Sequence, residues 1–308
     1  METGAPHLRP LGIGEVLDVA LKIVWRNAVT LFKIVFFVVF PVQVISAVVQ
    51  LSAIPERDEV VDDKDVAALI GAFGVTGILG WVASTLAAGA CYRAIASAYL
   101  GERTDWRPSL EFALRRLRSI LWVTILAGLA ALLGLILCVI PGIYLWVVFA
   151  LAVPVLLTED KRGTKALGRS RDLVRGYWWR TFAIVLLGTI LASIIGAVIG
   201  GVVGSTSGFD TTPTDLTSGV LSVVAGTVSD VITTPFTAAF VTVLYFDLRV
   251  RKEAFDLQLL AERIGVEPAG GALGPRPGDR PEIPGEEQPP FWPPPPGWKP
   301  GGADGSGS

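Results

Sequence analysis

SILWVTILAGLAALLGLILCVIPGIYLWVVFALAVPVLLT, residues 119–158, runs for 40 residues without a charge. The core of a soluble protein seldom needs such a run. A bilayer core of about 30 Å is crossed by about 20 helical residues, so this stretch holds two crossings. Pro141-Gly142 near its centre predicts a tight turn between them, because proline ends a helix and glycine accepts the turn. Outward from it, further apolar runs occupy 34–54, 66–92, 181–209 and 216–246, the last broken by Asp230. The predicted fold is all-α, a polytopic membrane bundle of six transmembrane helices.

Composition agrees. The 308 residues are 51% hydrophobic and 18% charged, below the roughly 25% charged residues of a soluble domain. A soluble enzyme is excluded first. A net charge of −2 leaves no basic field for nucleic acid. The chain has one histidine, His7, and two cysteines, Cys91 and Cys138, too few for an ordinary zinc or haem set, so no cofactor or metal is expected. Both cysteines are expected to be small apolar filler. No G-x-x-x-x-G-K-[ST], H-E-x-x-H, G-x-S-x-G or EF-hand pattern occurs, and a Ser-His-Asp device would have to use His7. No catalytic residue is predicted, and the expectation is a non-enzyme.

Charge between the runs sets their direction, because Lys and Arg of short loops stay cytoplasmic. The N-terminal stretch, the connections 93–118 and 161–180, and the segment after the sixth run together carry 21 Lys and Arg. The opposite connections carry two, Arg57 and Lys64, among acidic residues such as Asp58, Asp62 and Asp210. Both termini are expected in the cytoplasm of a cell (inner) membrane protein. The first span is expected to act as an uncleaved signal.

Segments leading into the odd-numbered spans carry apolar residues at helical spacing: Ile13, Val16, Leu17, Ala20 and Val24; Leu110, Ala113, Leu114 and Leu117; Ala166, Leu167, Ser170, Leu173 and Val174. Opposed by Arg, these stripes predict cytoplasmic amphipathic elbow helices lying at the inner interface, partnered by anionic lipid headgroups. The domain plan is a cytoplasmic N-terminus with an amphipathic helix over 1–28, the membrane domain over 29–247, a cytoplasmic helix over 248–265 and a disordered tail over 266–308. In that helix Asp247/Arg251, Arg249/Glu253 and Lys252/Asp256 are expected as solvated i,i+4 pairs. The tail holds 12 of the 21 prolines and 10 of the 34 glycines, cannot build a core, and is expected to be a flexible tail without a partner, the alternative being recognition of its Pro-rich motif by one. Glycines recur at Gly71, Gly74, Gly77 and Gly80, and at Gly196, Gly200 and Gly204, where close helix packing within or between subunits is expected.

LRPLGIGEVLD (8–18), ALGRSRDLVRGYWWR (166–180) and PFTAAFVTVLYFDLRVRKEAFDLQLLAERIG (235–265) resemble a family of bacterial six-span proteins. That family is similar to the membrane domain fused ahead of the catalytic domain in some glycerophosphoryl diester phosphodiesterases. The resemblance implies a stand-alone actinobacterial member, without the catalytic barrel of about 250 residues. It marks Arg169, Ser170, Arg175, Asp247 and Arg249 as motif positions without a known role. Asp230 joins them as the one charge inside a span, either reaching water near the outer surface or facing the bundle.

The expected function is a non-catalytic membrane scaffold or lipid-handling module. The alternative is a small transporter with a path through the bundle. Reporter fusions after residues 60 and 212 are expected outside the cytoplasm, and fusions after 105, 165 and 270 inside it. A cytoplasmic signal at 60 or 212 would reverse the orientation.

Overall fold

The computed structural model describes residues 11–52, 63–102, 104–207 and 216–253, and every regular element among them is a helix. In order these are α1 (Ile13–Arg26), α2 (Ala28–Ser52), α3 (Asp63–Tyr99), α4 (Trp106–Leu137), α5 (Val139–Phe149), α6 (Ala152–Glu159), α7 (Thr164–Val174), α8 (Trp178–Ser207) and α9 (Leu216–Glu253). Six segments are long and apolar enough to cross a membrane: α2, α3, α4, α5 with α6, α8 and α9. The protein is a helical membrane bundle. The expected tail, most of the 248–265 helix and most of the acidic outer connections lie outside the described residues.

The core is organised around α9, which packs on α1, α2, α3, α6, α7 and α8. From Pro235 through Leu248 every residue except Thr237 is buried. Lipid tails are as apolar as leucine, so spans are held together by close packing and dispersion rather than by exclusion of water. Small residues permit that closeness: Ala87, Ala90 and Ala94 of α3 are buried, and Tyr99 stacks on Phe246 with centroids 4.8 Å apart. A Cβ on Gly188 of α8 would stand 2.7 Å from the Phe240 ring. Outward faces carry exposed Phe37, Ile78, Leu133 and Ile136, the surface a bilayer would cover.

The turn within 119–158 falls at Cys138, not at Pro141-Gly142. Cys138 has extended backbone (φ −170°, ψ 152°), and Pro141 sits in the first turn of α5. Proline costs nothing there, because that N–H has no helical partner anyway. Gly142 serves the approach of two helices instead: a Cβ on it would lie 2.7 Å from the Leu135 backbone. At the turn Cys138 is exposed, so only Cys91 fulfils the expectation of buried filler. α2 and α9 run uninterrupted through Pro41 and Pro235. The fourth span alone is interrupted among the described residues, at Ala150-Leu151, just before Pro154.

Two of the three expected elbows are separate helices. Asn27 (φ −113°, ψ 18°) divides α1 from α2, and Gly176 with φ 89° lets the chain turn between α7 and α8. No such breaker stands between Trp106 and Ser119, so the third elbow is simply the first turns of a continuous α4. The apolar stripes of α1 and α7 face protein. Val16, Ala20 and Val24, and Ala166, Leu167, Leu173 and Val174, are buried, chiefly against α9 and α8 for α1 and against α5, α6 and α9 for α7.

The glycines of α3 do not make the expected close contacts. A Cβ on Gly71, Gly74, Gly77 or Gly80 would meet nothing within 4 Å. Gly196 makes ordinary contact, its Cβ position 3.5 Å from Ser229 Oγ, and the surroundings of Gly200 and Gly204 lie outside the described residues. Gly142→Leu is therefore expected to destabilise the protein by about 1–3 kcal/mol or more, through overpacking against Leu135. Gly74→Ala, unhindered and mid-helix, should be neutral or stabilising by up to about 1 kcal/mol. Thermal unfolding in detergent measures both, and equal melting shifts would refute the contrast.

Candidate functional site

Three polar assemblies organise the bundle, two at the end expected to be cytoplasmic and one between the spans. The first surrounds Asp247 of α9, which is 1% exposed. Its Oδ1 accepts the backbone N–H of Leu11 at 2.8 Å. Arg180 of α8 donates to Oδ2 from Nε at 3.1 Å and approaches it with a terminal nitrogen at 3.0 Å. Arg251, one turn on, donates from Nε at 3.0 Å. Both guanidiniums also donate to the Leu11 carbonyl, Arg251 at 2.6 Å. One peptide residue before α1 is thus held at both its N–H and its C=O. A buried carboxylate without such partners would cost several kcal/mol.

The second assembly joins α6, α7 and α9. Arg169 Nε donates to Glu159 Oε2 at 2.8 Å, and its other end pairs with Glu253. Arg249 meets Glu253 at 3.2 Å and lies 4.0 Å from Glu159. The Tyr245 hydroxyl donates to Glu159 Oε1 at 3.0 Å, with Thr158 Oγ1 2.7 Å away. Burial alone would lower the Arg169 pKa, but the hydrogen bonds it donates to Glu159 and Glu253, with their charges, raise it above its usual value. Ser170 is fully buried and donates to the Val148 carbonyl at 2.6 Å, fastening α7 to α5. Every carboxylate here faces a guanidinium, which suits a structural lock better than proton transfer.

Four of the five motif positions are therefore built into helix junctions: Asp247 in the first assembly, Arg169 and Arg249 in the second, and Ser170 between α7 and α5. Arg175 does not: it is exposed, and its backbone N–H closes α7 on Arg171. Two of the expected solvated pairs are real contacts, Asp247/Arg251 and Arg249/Glu253, but they are packed under α1 and α7 rather than bathed in water; Asp256 of the third lies outside the described residues. Glu159, Arg180 and Tyr245 are partners that composition and spacing did not single out. Glu159 belongs to no periodic pattern, whereas Arg180 closes the quoted 166–180 motif.

The third assembly holds Asp230 of α9, half-buried and facing other helices. Gln43 of α2 donates to its Oδ2 from Nε2 at 3.4 Å. They stand at similar heights: Asp230 is 17 residues above Asp247, about 25 Å, and Gln43 is 15 above Ala28, about 22 Å. Both border a cavity of about 380 Å³ between α2, α3 and α9, where Ser46, Gln50, Thr76 and Ser84 supply further polar atoms. Gly77 and Gly80 form part of its α3 wall. Gly226, one turn above Asp230, makes room for the amide, since a Cβ there would stand 2.8 Å from Gln43 Nε2. The neighbouring Thr233 spends its hydroxyl on the Ser229 carbonyl, and Thr227 Oγ1 is buried without a hydrogen-bond partner among the described residues. Among those residues no group of three His, Cys, Asp or Glu could hold a metal ion.

The model of a family described as a domain of unknown function, DUF8558, matches residues 111–269, just over half of the chain. The match includes both ion-pair assemblies and Asp230, but neither Leu11 nor Gln43. No curated protein and no solved structure matches.

Asp247→Ala leaves Arg180 and Arg251 facing each other without their counter-ion, and is expected to cost about 3–5 kcal/mol. Arg175→Ala should stay within about 0.5 kcal/mol, as for a surface position. Unfolding in detergent compares them, and a Asp247→Ala protein as stable as the parent would remove the lock from this account.

Proposed function

The chain belongs to the DUF8558 family, and we propose that it is a non-catalytic lipid-handling module of the cell membrane, with both termini in the cytoplasm. The orientation rests on the basic connections, which lie at the same end as the two ion-pair assemblies. Lys165, Arg171 and Arg175 are exposed around α7, beside the exposed Trp179, where they can meet anionic headgroups.

The single observation that carries the reading is the Asp230 cavity. Elsewhere in the spans hydroxyls satisfy themselves on their own helix: Thr85 on Trp81, Thr124 on Ile120, Thr189 on Val185, Thr242 on Ala238. Asp230 and Gln43 instead reach across 187 residues to border a void. A polar cleft between apolar helices, half open where Phe73, Gly77 and Ser84 are exposed, is expensive to keep and is the usual form of a binding site. The transporter alternative draws on the same cavity. Yet α2, α3 and α9 around it are continuous, and the interrupted α5–α6 span does not line it, whereas transporter sites are typically built on broken helices.

Native mass spectrometry of the full-length protein extracted from its membrane is expected to show retained lipid. Gly77→Leu with Gly80→Leu, which fill the cavity from an unhindered wall, should abolish the retention of a cavity-bound species. Replacing Lys165, Arg171 and Arg175 by Gln should instead weaken binding of anionic lipid by about 1 kcal/mol per charge at low salt. Parent-like retention by the filled variant would overturn the lipid-handling reading.

A further inference from the structure

The charge of the cavity wall is one-sided. Thr76 Oγ1 donates to the Ala72 carbonyl at 2.8 Å, and Ser84 Oγ donates to the Trp81 carbonyl at 3.0 Å. A hydroxyl whose O–H is spent on a carbonyl has only lone pairs left to offer. Gln43 turns Nε2 toward Asp230, which leaves its Oε1 as an acceptor. Asp230 adds a carboxylate, and none of the described lining residues is Lys, Arg or His. Ser46 and Gln50 add hydroxyl and amide groups that can donate as well as accept, and the wall carries a single formal negative charge without a counter-ion. An anion is repelled there.

Size narrows the choice further. About 380 Å³ lies within the range of small-molecule sites and far above the roughly 30 Å³ of one water, so a bare ion would leave most of the space empty. The matching group is cationic, rich in N–H donors and attached to something larger. Resting on the lipid-handling reading above, we propose that the Asp230 cavity receives a primary ammonium group, borne by a lipid headgroup or by a free small amine. Asp230 is the counter-ion, and Gln43 Oε1 beside it is an acceptor for the ammonium hydrogens. Gly226 positions Gln43 rather than touching the ligand. A Cβ at Gly226 displaces only the far end of a flexible side chain, so the Gly226→Ala protein keeps its fold. The heights of Asp230 and Gln43 place the site in the leaflet opposite the Arg-rich end.

The test uses the full-length protein in nanodiscs of equal parts phosphatidylethanolamine and phosphatidylcholine, followed by native mass spectrometry. Soluble ethanolamine is added in a second arm. A primary ammonium donates three hydrogen bonds and a trimethylammonium none, so phosphatidylethanolamine is expected to be retained about tenfold or more over phosphatidylcholine. Asp230→Asn should erase that preference, and Gly226→Ala should weaken it while leaving the melting temperature unchanged. Preference without competition by ethanolamine identifies a lipid source; saturable binding of ethanolamine identifies a free amine. Equal retention of both lipids with no ethanolamine binding overturns the proposal. So does carboxylate-dependent binding of sodium alone. If the filled Gly77→Leu/Gly80→Leu variant loses its lipid while Asp230→Asn keeps the parent's preference, the cavity stands as a lipid site and the ammonium assignment falls. If the filled variant keeps its lipid, the underlying reading falls with it.

Discussion

A single carboxylate, that of Asp247, ties together segments that the bilayer alone would leave loosely associated. Within the spans, helix association draws on dispersion and small-residue packing, which are non-specific in direction. At the end of α9 the constraint is specific: a buried negative charge must be met by donors in fixed places. Arg180 from α8, Arg251 from its own helix and the Leu11 N–H before α1 meet it. α1 is then laid across α9 and α8, with Val16, Ala20 and Val24 covering the junction from water. The Glu159–Arg169–Glu253 assembly repeats the device for α6 and α7. Electrostatics outside the bilayer thus decides an arrangement that packing inside it fills in.

The number, positions and helical nature of the spans were legible in the sequence, because twenty uncharged residues admit few alternatives to a crossing. Helix ends were less legible. Pro141-Gly142 has the composition of a turn, yet proline is equally at home in a first helical turn and glycine equally useful where two backbones touch. The α3 glycines illustrate a related ambiguity. Period and residue type resemble a packing seam, while the Cβ positions of Gly77 and Gly80 open onto space that borders a cavity. The motif residues of 166–180 and 235–265 were visible as charged positions, but their partnerships were not. Glu159 and Tyr245 meet through tertiary contact across 86 residues, and no local periodicity announces such a pair. Gln43 stood out only as a polar interruption in an apolar run.

Polar atoms in this bundle follow two rules that separate structure from function. Many hydroxyls in the spans bond back to a carbonyl one turn earlier and become invisible to lipid. Side chains too long or too charged for that must find each other, as Gln43 and Asp230 do, or an external partner. The contrast explains why the candidate site could not be located by counting polar residues. Ser and Thr are frequent in α8 and α9, and Thr181, Thr189, Thr233, Thr237 and Thr242 are silent in this way. What distinguishes Asp230 is that it bonds to another helix, at the edge of a cleft between spans.

The Leu11–Asp247 bond also orders events in time. Its two ends are separated by 236 residues, so the chain's first helix cannot dock until its last described one has been made and threaded. At about 5–20 residues per second, α1 waits roughly ten to fifty seconds at the membrane surface, with Val16, Ala20 and Val24 uncovered. During that interval α1 is an amphipathic helix in search of a surface, and the bilayer is the surface at hand. Its release from lipid onto α9 would mark docking of that span, so that correct insertion of α9 is registered by the conformation of α1.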